Sequence, residues 1–120
     1  MFQEANVTIQ TTNFEQAVKF YQETLAFRIG FRNGNEWAEL SMSGLTVGIS
    51  PTDQKLAGGE KLSLGLNVSS LDEAKKSLES RGVNFSSGIL ERSTARIIFF
   101  NDPDGNSLYL CEVKRPFPTF

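Results

Sequence analysis

The sequence predicts an α+β domain in which two βαβββ modules form one curved mixed sheet, with a concave cup on one side and the helices on the convex side. Short runs that alternate apolar and polar residues are typical of strands with one buried face. A helix-cap signature follows such a run in each half of the chain. Since 120 residues are enough for one core and too few for two ordinary ones, we expect a single domain over residues 1–120.

The first half opens with a strand and a helix. Val7 and Ile9 alternate with polar neighbours, which predicts a strand with one wet face. Asn13 is a good helix N-cap, and Gln16 occupies the capping-box position. The predicted helix has one apolar stripe, formed by Phe14, Ala17, Val18, Tyr21 and Leu25. After turn-forming glycines, two further strands are predicted, at residues 37–42 and 45–49.

The second half repeats this order. Leucines and a valine alternate with small or polar residues from position 62 to position 68, which predicts a strand. Ser70 caps the next helix, with Glu73 at its capping-box position, and Gly82 ends that helix in a left-handed conformation. Asp102 to Gly105 form a tight turn. Strands are predicted around Phe85, at 95–100 and at 107–113.

The repeat indicates an internal duplication. Asn13 and Ser70 are separated by the same number of residues as Ala17 and Ala74. Each half is too small to close its own core, so we expect the two to share one sheet. The predicted boundaries are module 1 at about 1–50, a polar connector at 51–61, module 2 at about 62–113 and a tail at 114–120.

Composition excludes several classes of chemistry. The chain has no histidine, which removes Ser-His-Asp and Cys-His nucleophile systems and His-based zinc sites. A net charge of −2 without a dense basic cluster argues against nucleic acid as a partner. No apolar run is long enough for a membrane span, and the first residues lack the layout of a signal peptide. We therefore expect a cytoplasmic protein, which the single cysteine, Cys111, also fits.

Two segments resemble a known family. Residues 7–27 (VTIQTTNFEQAVKFYQETLAF) resemble the opening strand and first helix of the glyoxalase / bleomycin-resistance / extradiol-dioxygenase superfamily, also called the vicinal oxygen chelate superfamily. Residues 100–112 (FNDPDGNSLYLCE) resemble its closing hairpin, and the duplication is the architecture of that family. The resemblance implies the fold and leaves the function open, because relatives include isomerases, epimerases, dioxygenases, thiol transferases and non-catalytic drug-sequestering proteins.

The resemblance also implies where a metal would bind. In metal-dependent relatives, four cup-facing positions supply the ligands, usually His or Glu. These positions fall on Asn6, Glu39, Ser63 and Tyr109 of this chain. Only Glu39 is a normal ligand for a divalent metal. The chain is therefore predicted to be a metal-free member of the superfamily, with no cofactor.

Trp37 and Glu39 are the strongest candidates for ligand contacts. Strand alternation places both on the face opposite Ala38 and Leu40, and hence in the cup. Glu39 can bind a ligand cation or act as a general base, and the alternative is a solvated acid without a role. Trp37 can stack on a ligand, or it can pack at a cup wall or a dimer contact.

Other side chains are weaker candidates. Hydrogen-bonding groups that face the same concavity can orient a ligand, or they can bond one another in a filled cup: Asn6, Gln10, Ser63, Asn67 and Tyr109. Cys111 shares the face of Tyr109 and is predicted to be a buried, inert thiol. Arg92 and Arg96 are predicted to be solvated loop residues, with an anion clamp as the alternative.

Three functions follow from these candidates. The leading hypothesis is a metal-independent small-molecule binding protein that sequesters an aromatic or cationic ligand. The first alternative is a metal-independent lyase or isomerase in which Glu39 removes a proton α to a carbonyl and Tyr109 or Arg96 stabilises the enolate. The second alternative is a non-catalytic interaction domain. In each case we expect a symmetric homodimer, because the sheet edges need covering.

Overall fold

The computed structural model describes residues 1, 6–53, 63–93 and 95–114. The chain divides into two compact units, Met1–Gly58 and Gly59–Phe120. In the described residues, each unit has a mixed four-stranded sheet and a helix, which confirms the α+β class and the two βαβββ-like modules. The cup shared by both modules stays a prediction. Residues 54–61 of the predicted connector and 115–120 of the predicted tail lie outside the described residues.

The first sheet has the strand order β1-β4-β3-β2, with β1 parallel to β4 and the other pairs antiparallel. Helix α1 continues directly into a π-helical turn, in which the Leu25 N–H donates to the Phe20 carbonyl at 3.0 Å. The elements are β1 (Val7–Thr11), α1 (Phe14–Lys19), the π-helical turn (Phe20–Thr24), β2 (Arg28–Asn33), β3 (Trp37–Met42) and β4 (Leu45–Pro51).

Strand β2 was not evident from the sequence, because its alternation is broken. A bulge lies between Ile29 and Phe31, where Ile29 pairs with Leu40 and Phe31 pairs with Glu39. Ile29 and Phe31 therefore face opposite sides of the sheet, although an unbroken strand would place residues two apart on one side. The extra residue interrupts the alternation of apolar and polar residues on which the prediction of a strand depends.

The second sheet has the equivalent order β5-β8-β7-β6, with β5 parallel to β8. The strand predicted around Phe85 is wrong: Phe85 makes only an isolated bridge to Phe100, and the edge strand lies further along the chain. Ser86 and Ser87 hold this segment instead, since the Ser86 N–H and the Ser87 Oγ both bond the backbone of Phe99. The elements are β5 (Ser63–Asn67), α2 (Leu71–Ser80), β6 (Leu90–Glu91), β7 (Ala95–Asn101) and β8 (Ser107–Val113).

Each sheet packs one face against its own helix. Every residue of the predicted apolar stripe of the first helix is buried, and α1 contacts β4. Helix α2 buries Leu71 and Leu78 and contacts β8. The buried hydrophobic strand residues of the two units are Ile9, Ala38, Leu40, Val47 and Ile49 in the first, and Ala95, Ile98, Phe100, Leu108 and Leu110 in the second.

The predicted N-caps are confirmed in both modules. Asn13 Oδ1 accepts from the Gln16 N–H at 3.2 Å, and Ser70 Oγ accepts from the Glu73 N–H at 3.3 Å. The Asn13 N–H donates to Thr11 Oγ1 at 3.0 Å, so Thr11 takes the place of Gln16 in the reciprocal bond of the capping box. Equivalent caps in equivalent places support the duplication.

The turn between β7 and β8 is organised by a buried carboxylate. Asp102 is 5% exposed and accepts hydrogen bonds from the backbone N–H groups of Asp104 and Asn106, at 2.9 and 2.8 Å, and from Asn106 Nδ2 at 2.8 Å. Gly105 has φ +88°, so the prediction of a glycine-dependent turn is confirmed. This turn of the family-like hairpin therefore has a structural role: it sets the register between β7 and β8, the two strands that it joins.

The end of the first helix contains local backbone strain. Ala26 has φ +62°, a left-handed conformation in which a Cβ is unfavourable. The residue stands at the helix C-terminus, where the Phe27 N–H donates back to the Tyr21 carbonyl at 2.8 Å. Glycine is the usual residue at such a position because it lacks the Cβ.

We predict that Ala26→Gly stabilises the protein. Removing the Cβ relieves the left-handed strain, and we expect a gain of about 0.5–1 kcal/mol in the free energy of unfolding. The control is Ala74→Gly inside α2, which should cost about 0.5–1 kcal/mol because glycine is a poor helix former. Thermal unfolding followed by circular dichroism measures both. A lower Tm for Ala26→Gly would contradict the assigned backbone conformation.

Candidate functional site

The first module has one sheet face that its helix does not cover. Val47 and Ile49 are fully buried toward α1, so Gly48 between them faces the other side. The register pairs Gly48 with Glu39, and Glu39 with Phe31. We call this surface the helix-free face of the first module; its residues include Thr8, Gln10, Phe31, Asn33, Trp37, Glu39, Ser41 and Gly48.

Trp37 and Glu39 are bonded to each other on this face. The indole Nε1 donates to Glu39 Oε2 at 2.7 Å, and both side chains are half-buried. The ring lies against the backbone of Gly48, since a methyl group on Gly48 would stand 2.3 Å from the indole Cη2. The shared face agrees with the alternation, but sequence reasoning placed the two side chains side by side without this bond. The bond fixes both the ring and the carboxylate.

Phe31 is a site residue that sequence reasoning missed. It lies directly across from Glu39 and is 55% exposed, whereas its neighbour Arg32 lies on the other side of the sheet, 5.2 Å above the Phe14 ring of α1. The bulge at Gly30 turns Phe31 to the helix-free face. Glu39 therefore has one aromatic residue along its own strand and a second on the neighbouring strand.

The two amide candidates of the first module lie at its edge strand. Gln10 is exposed on β1, on the helix-free face. Asn6 precedes β1 and is exposed, and its Oδ1 accepts from Thr8 Oγ1 at 3.2 Å. Within the described part of the chain, neither residue is hydrogen-bonded to Trp37 or Glu39, so both are peripheral to that pair.

In the second module, Ser63, Asn67 and Tyr109 lie together on the face that α2 leaves uncovered. Ser63 Oγ donates to Ser107 Oγ at 2.8 Å, and Asn67 pairs across the sheet with Cys111. The Tyr109 ring lies over Gly65, where a methyl group would stand 2.4 Å from the phenolic oxygen. This ring also contacts Phe99, at 5.6 Å between the centroids. Cys111 is half-buried, which corrects the expectation of a buried thiol.

Arg96 lies on the opposite face from Tyr109, beside helix α2. Its Nη1 donates to Asp72 at 3.2 Å and its Nε to Glu91 at 2.9 Å. The guanidinium therefore holds the pKa of Asp72 below its ordinary value, and Lys114 together with Arg96 lowers the pKa of Glu91. Folding lowers the pKa values of both carboxyl groups. These ion pairs therefore stabilise the folded state at a pH above the ordinary carboxyl pKa, and this stabilisation is lost as the pH falls through the lowered pKa values of the folded state.

The two donors considered for the isomerase alternative lie on opposite faces of the second sheet, Arg96 on the helix side and Tyr109 on the other. The role of either in stabilising an enolate stays a prediction. Arg96 is neither a solvated loop residue nor a free anion clamp, because it lies in β7 and acidic side chains surround it. The guanidinium of Arg92 approaches the carbonyl of Glu91, and the carbonyl of Arg92 accepts from Lys114 Nζ at 2.7 Å.

The residues at the four ligand-equivalent positions do not fit a divalent metal. In the first module, Glu39 Oε2 already accepts the indole N–H, and Asn6 offers a weak amide ligand. In the second, Ser63 is bonded to Ser107 and Tyr109 supplies a phenol. Within residues 1, 6–53, 63–93 and 95–114, no three or more His, Cys, Asp and Glu residues are grouped so as to hold a metal ion. Apart from the carboxylate of Glu39, this donor set lacks the imidazole and carboxylate ligands that such a site needs.

The described ranges contain no helix that is long and apolar enough to cross a membrane.

Comparison with known proteins gives a family match over most of the chain. The model of the Glyoxalase/Bleomycin resistance protein/Dioxygenase superfamily matches residues 5–110. An uncharacterized protein of Mycolicibacterium smegmatis is 31% identical over 103 residues, which cover 85% of this chain and 86% of that protein.

Solved structures share the fold. A glyoxalase family protein from Enterococcus faecalis superposes with a TM-score of 0.78 at 24% identity, covering 92% of this chain and 98% of that one. A member of the same superfamily from Sphaerobacter thermophilus gives a TM-score of 0.71 at 26% identity, with 92% and 98% covered.

We predict that the chain binds no stoichiometric transition metal. Protein purified without chelator should contain zinc, nickel, iron and manganese well below one equivalent per chain by elemental analysis, because only Glu39 of the four positions is a strong ligand. Glu39→Gln serves as the matched variant, and its metal content should equal that of the parent. One equivalent of a transition metal per chain in the parent would contradict the prediction, and its loss in the variant would place the metal at Glu39.

Proposed function

The chain belongs to the Glyoxalase/Bleomycin resistance protein/Dioxygenase superfamily, and within it we propose that the chain is a cytoplasmic, metal-independent binding protein for a small aromatic or cationic molecule. The observation that carries this proposal is the Trp37–Glu39 pair. It presents a fixed ring and a fixed carboxylate on the face that α1 leaves uncovered.

The chemistry of the pair favours a cation. Glu39 carries a negative charge, and Trp37 and Phe31 flank it with aromatic rings. A cation over an indole ring gains about 0.5–2 kcal/mol, depending on how far it is desolvated. A hydrogen bond to a charged group adds about 1.5–3 kcal/mol. An aromatic amine or amidine would use both interactions at once, by stacking its ring and directing its charge at the carboxylate.

Binding is favoured over catalysis by the state of Glu39. One carboxylate oxygen already accepts the indole N–H, so the group is held as part of a surface for recognition. The isomerase alternative requires a donor that stabilises an enolate, and Arg96 faces the helix side of its own sheet. Tyr109 remains a candidate donor for that reaction and, with Ser63 and Asn67, for orienting a ligand in the second module.

Trp37 provides a direct reporter for binding, because it is the only tryptophan of the chain. We propose a fluorescence titration with three planar probes of similar shape: benzamidine, which is a cation, benzamide, which is neutral, and benzoate, which is an anion. The expected order of affinity is benzamidine, then benzamide, then benzoate. Equal affinity for all three, or no response of Trp37 to any of them, would contradict the proposed site.

We predict that Glu39→Gln weakens benzamidine binding about tenfold or more, because it removes a charge-assisted bond of about 1.5–3 kcal/mol. The amide oxygen of Gln can still accept the indole N–H, so the ring keeps its place and benzamide binding should change little. Isothermal titration of both probes measures this. The control is Glu79→Gln, which removes the same charge from the i,i+4 pair with Lys75 on α2 and should leave both affinities unchanged. Undiminished benzamidine binding by Glu39→Gln would refute the role of the carboxylate.

We also propose that the chain forms a symmetric homodimer. Strands β1 and β2 are the outer strands of the first sheet, and β2 carries the exposed Phe31. Sheet edges with apolar side chains are usually covered in native proteins. Size-exclusion chromatography with light scattering at micromolar concentration should give the mass of two chains. The mass of one chain at all concentrations would contradict the dimer.

A further inference from the structure

We propose that Gly48 is a positioning residue: by lacking a Cβ, it allows the Trp37 indole to lie against the sheet in reach of Glu39. The inference deepens the proposed function, because it names what sets the geometry of the binding pair. It also makes planar aromatic cations the preferred ligand class, since a ring held against the sheet presents one flat surface for stacking.

The position of Gly48 in the sheet gives the first argument. It lies inside β4, which has hydrogen-bonded neighbours on both sides, and glycine weakens the interior of a strand. Its backbone does not require glycine, because its φ is not among the positive φ angles found for the turn glycines of the described residues. The advantage of glycine here therefore lies in the space that its missing side chain leaves.

The space above Gly48 is filled by the indole. A Cβ on Gly48 would lie 2.3 Å from Cη2, 2.6 Å from Cζ2 and 3.2 Å from Cζ3 of Trp37. Two of these distances are far below carbon–carbon van der Waals contact. The ring is rigid and its Nε1 is held by Glu39, so it can make room only by turning away from the sheet and lengthening the 2.7 Å bond.

The second module uses the same arrangement independently. Gly65 of β5 lies under the Tyr109 ring, and a Cβ there would stand 2.4 Å from both Cζ and the phenolic oxygen. Gly65 also has no positive φ. Trp37 lies on β3 and covers a residue of β4, whereas Tyr109 lies on β8 and covers a residue of β5. In both modules, a glycine leaves room for an aromatic ring from a neighbouring strand to lie against the sheet, on the face that the helix does not cover.

Gly48→Ala tests the inference, and Gly65→Ala is its matched control. In the protein without ligand, Gly48→Ala should shift the emission maximum of Trp37 to longer wavelength and change its near-ultraviolet circular dichroism. Gly65→Ala should leave the tryptophan signals unchanged. Benzamidine affinity should fall at least about tenfold in Gly48→Ala, because the change disturbs the charge-assisted pair, and should remain within about twofold in the control Glu79→Gln.

A double-mutant cycle separates positioning from general strand stability. In a Trp37→Ala background the obstacle is absent, so adding Gly48→Ala should leave the Tm unchanged or raise it, whereas the same change in the parent should lower it. If Gly48→Ala alone does not fold, Trp37→Ala should restore folding, and failure to do so overturns the inference. Unchanged tryptophan spectra in a folded Gly48→Ala protein also overturn it.

The two proposals fail in different ways. If the parent does not bind benzamidine, the proposed function fails, while the spectra and the cycle still decide the role of Gly48. If the parent binds benzamidine and Gly48→Ala binds it equally well with unaltered spectra, the positioning role fails and the binding function stands.

Discussion

Each sheet buries one face against its own helix, and the arrangement of the polar groups on the other face follows from that burial. In the first module Leu40, Val47 and Ile49 are fully buried on the helix side. Because side chains alternate along a strand, Glu39 and Gly48 are forced to the opposite side, paired across β3 and β4. A slip of one residue in this register would bury Glu39 and expose the core.

This constraint gives the two modules the same framework with different surfaces. The first module presents a carboxylate between aromatic residues, and the second presents Tyr109 beside Phe99 with uncharged hydroxyl and amide groups. Equivalent strand order and equivalent helix caps show that the duplication preserved the packing side of each sheet. The residues on the sheet faces that the helices leave uncovered differ between the two modules, which is consistent with a fold that supports many functions.

The charged residues illustrate how far local sequence can mislead. Arg96 lies within the strand predicted at 95–100, yet its side chain is not solvated as expected and is paired with Asp72 of α2 and Glu91 of β6. These partners lie 24 and 5 residues away along the chain. Side-chain pairing over such separations depends on which elements adjoin in the fold, and local sequence patterns do not show that.

Sequence patterns alone were enough to predict the class of fold, both N-caps, the apolar stripe of the first helix, the turn at Asp102 and the shared face of Trp37 and Glu39. All of these depend on residues close in the chain, through helical or strand periodicity and turn chemistry. Strand β2, and the bulge that turns Phe31 toward Glu39, became evident from the folded structure. The same holds for the contact of the Trp37 ring with Gly48. These features depend on the register between strands, which is set by the packing of the whole sheet on its helix and not by any short segment.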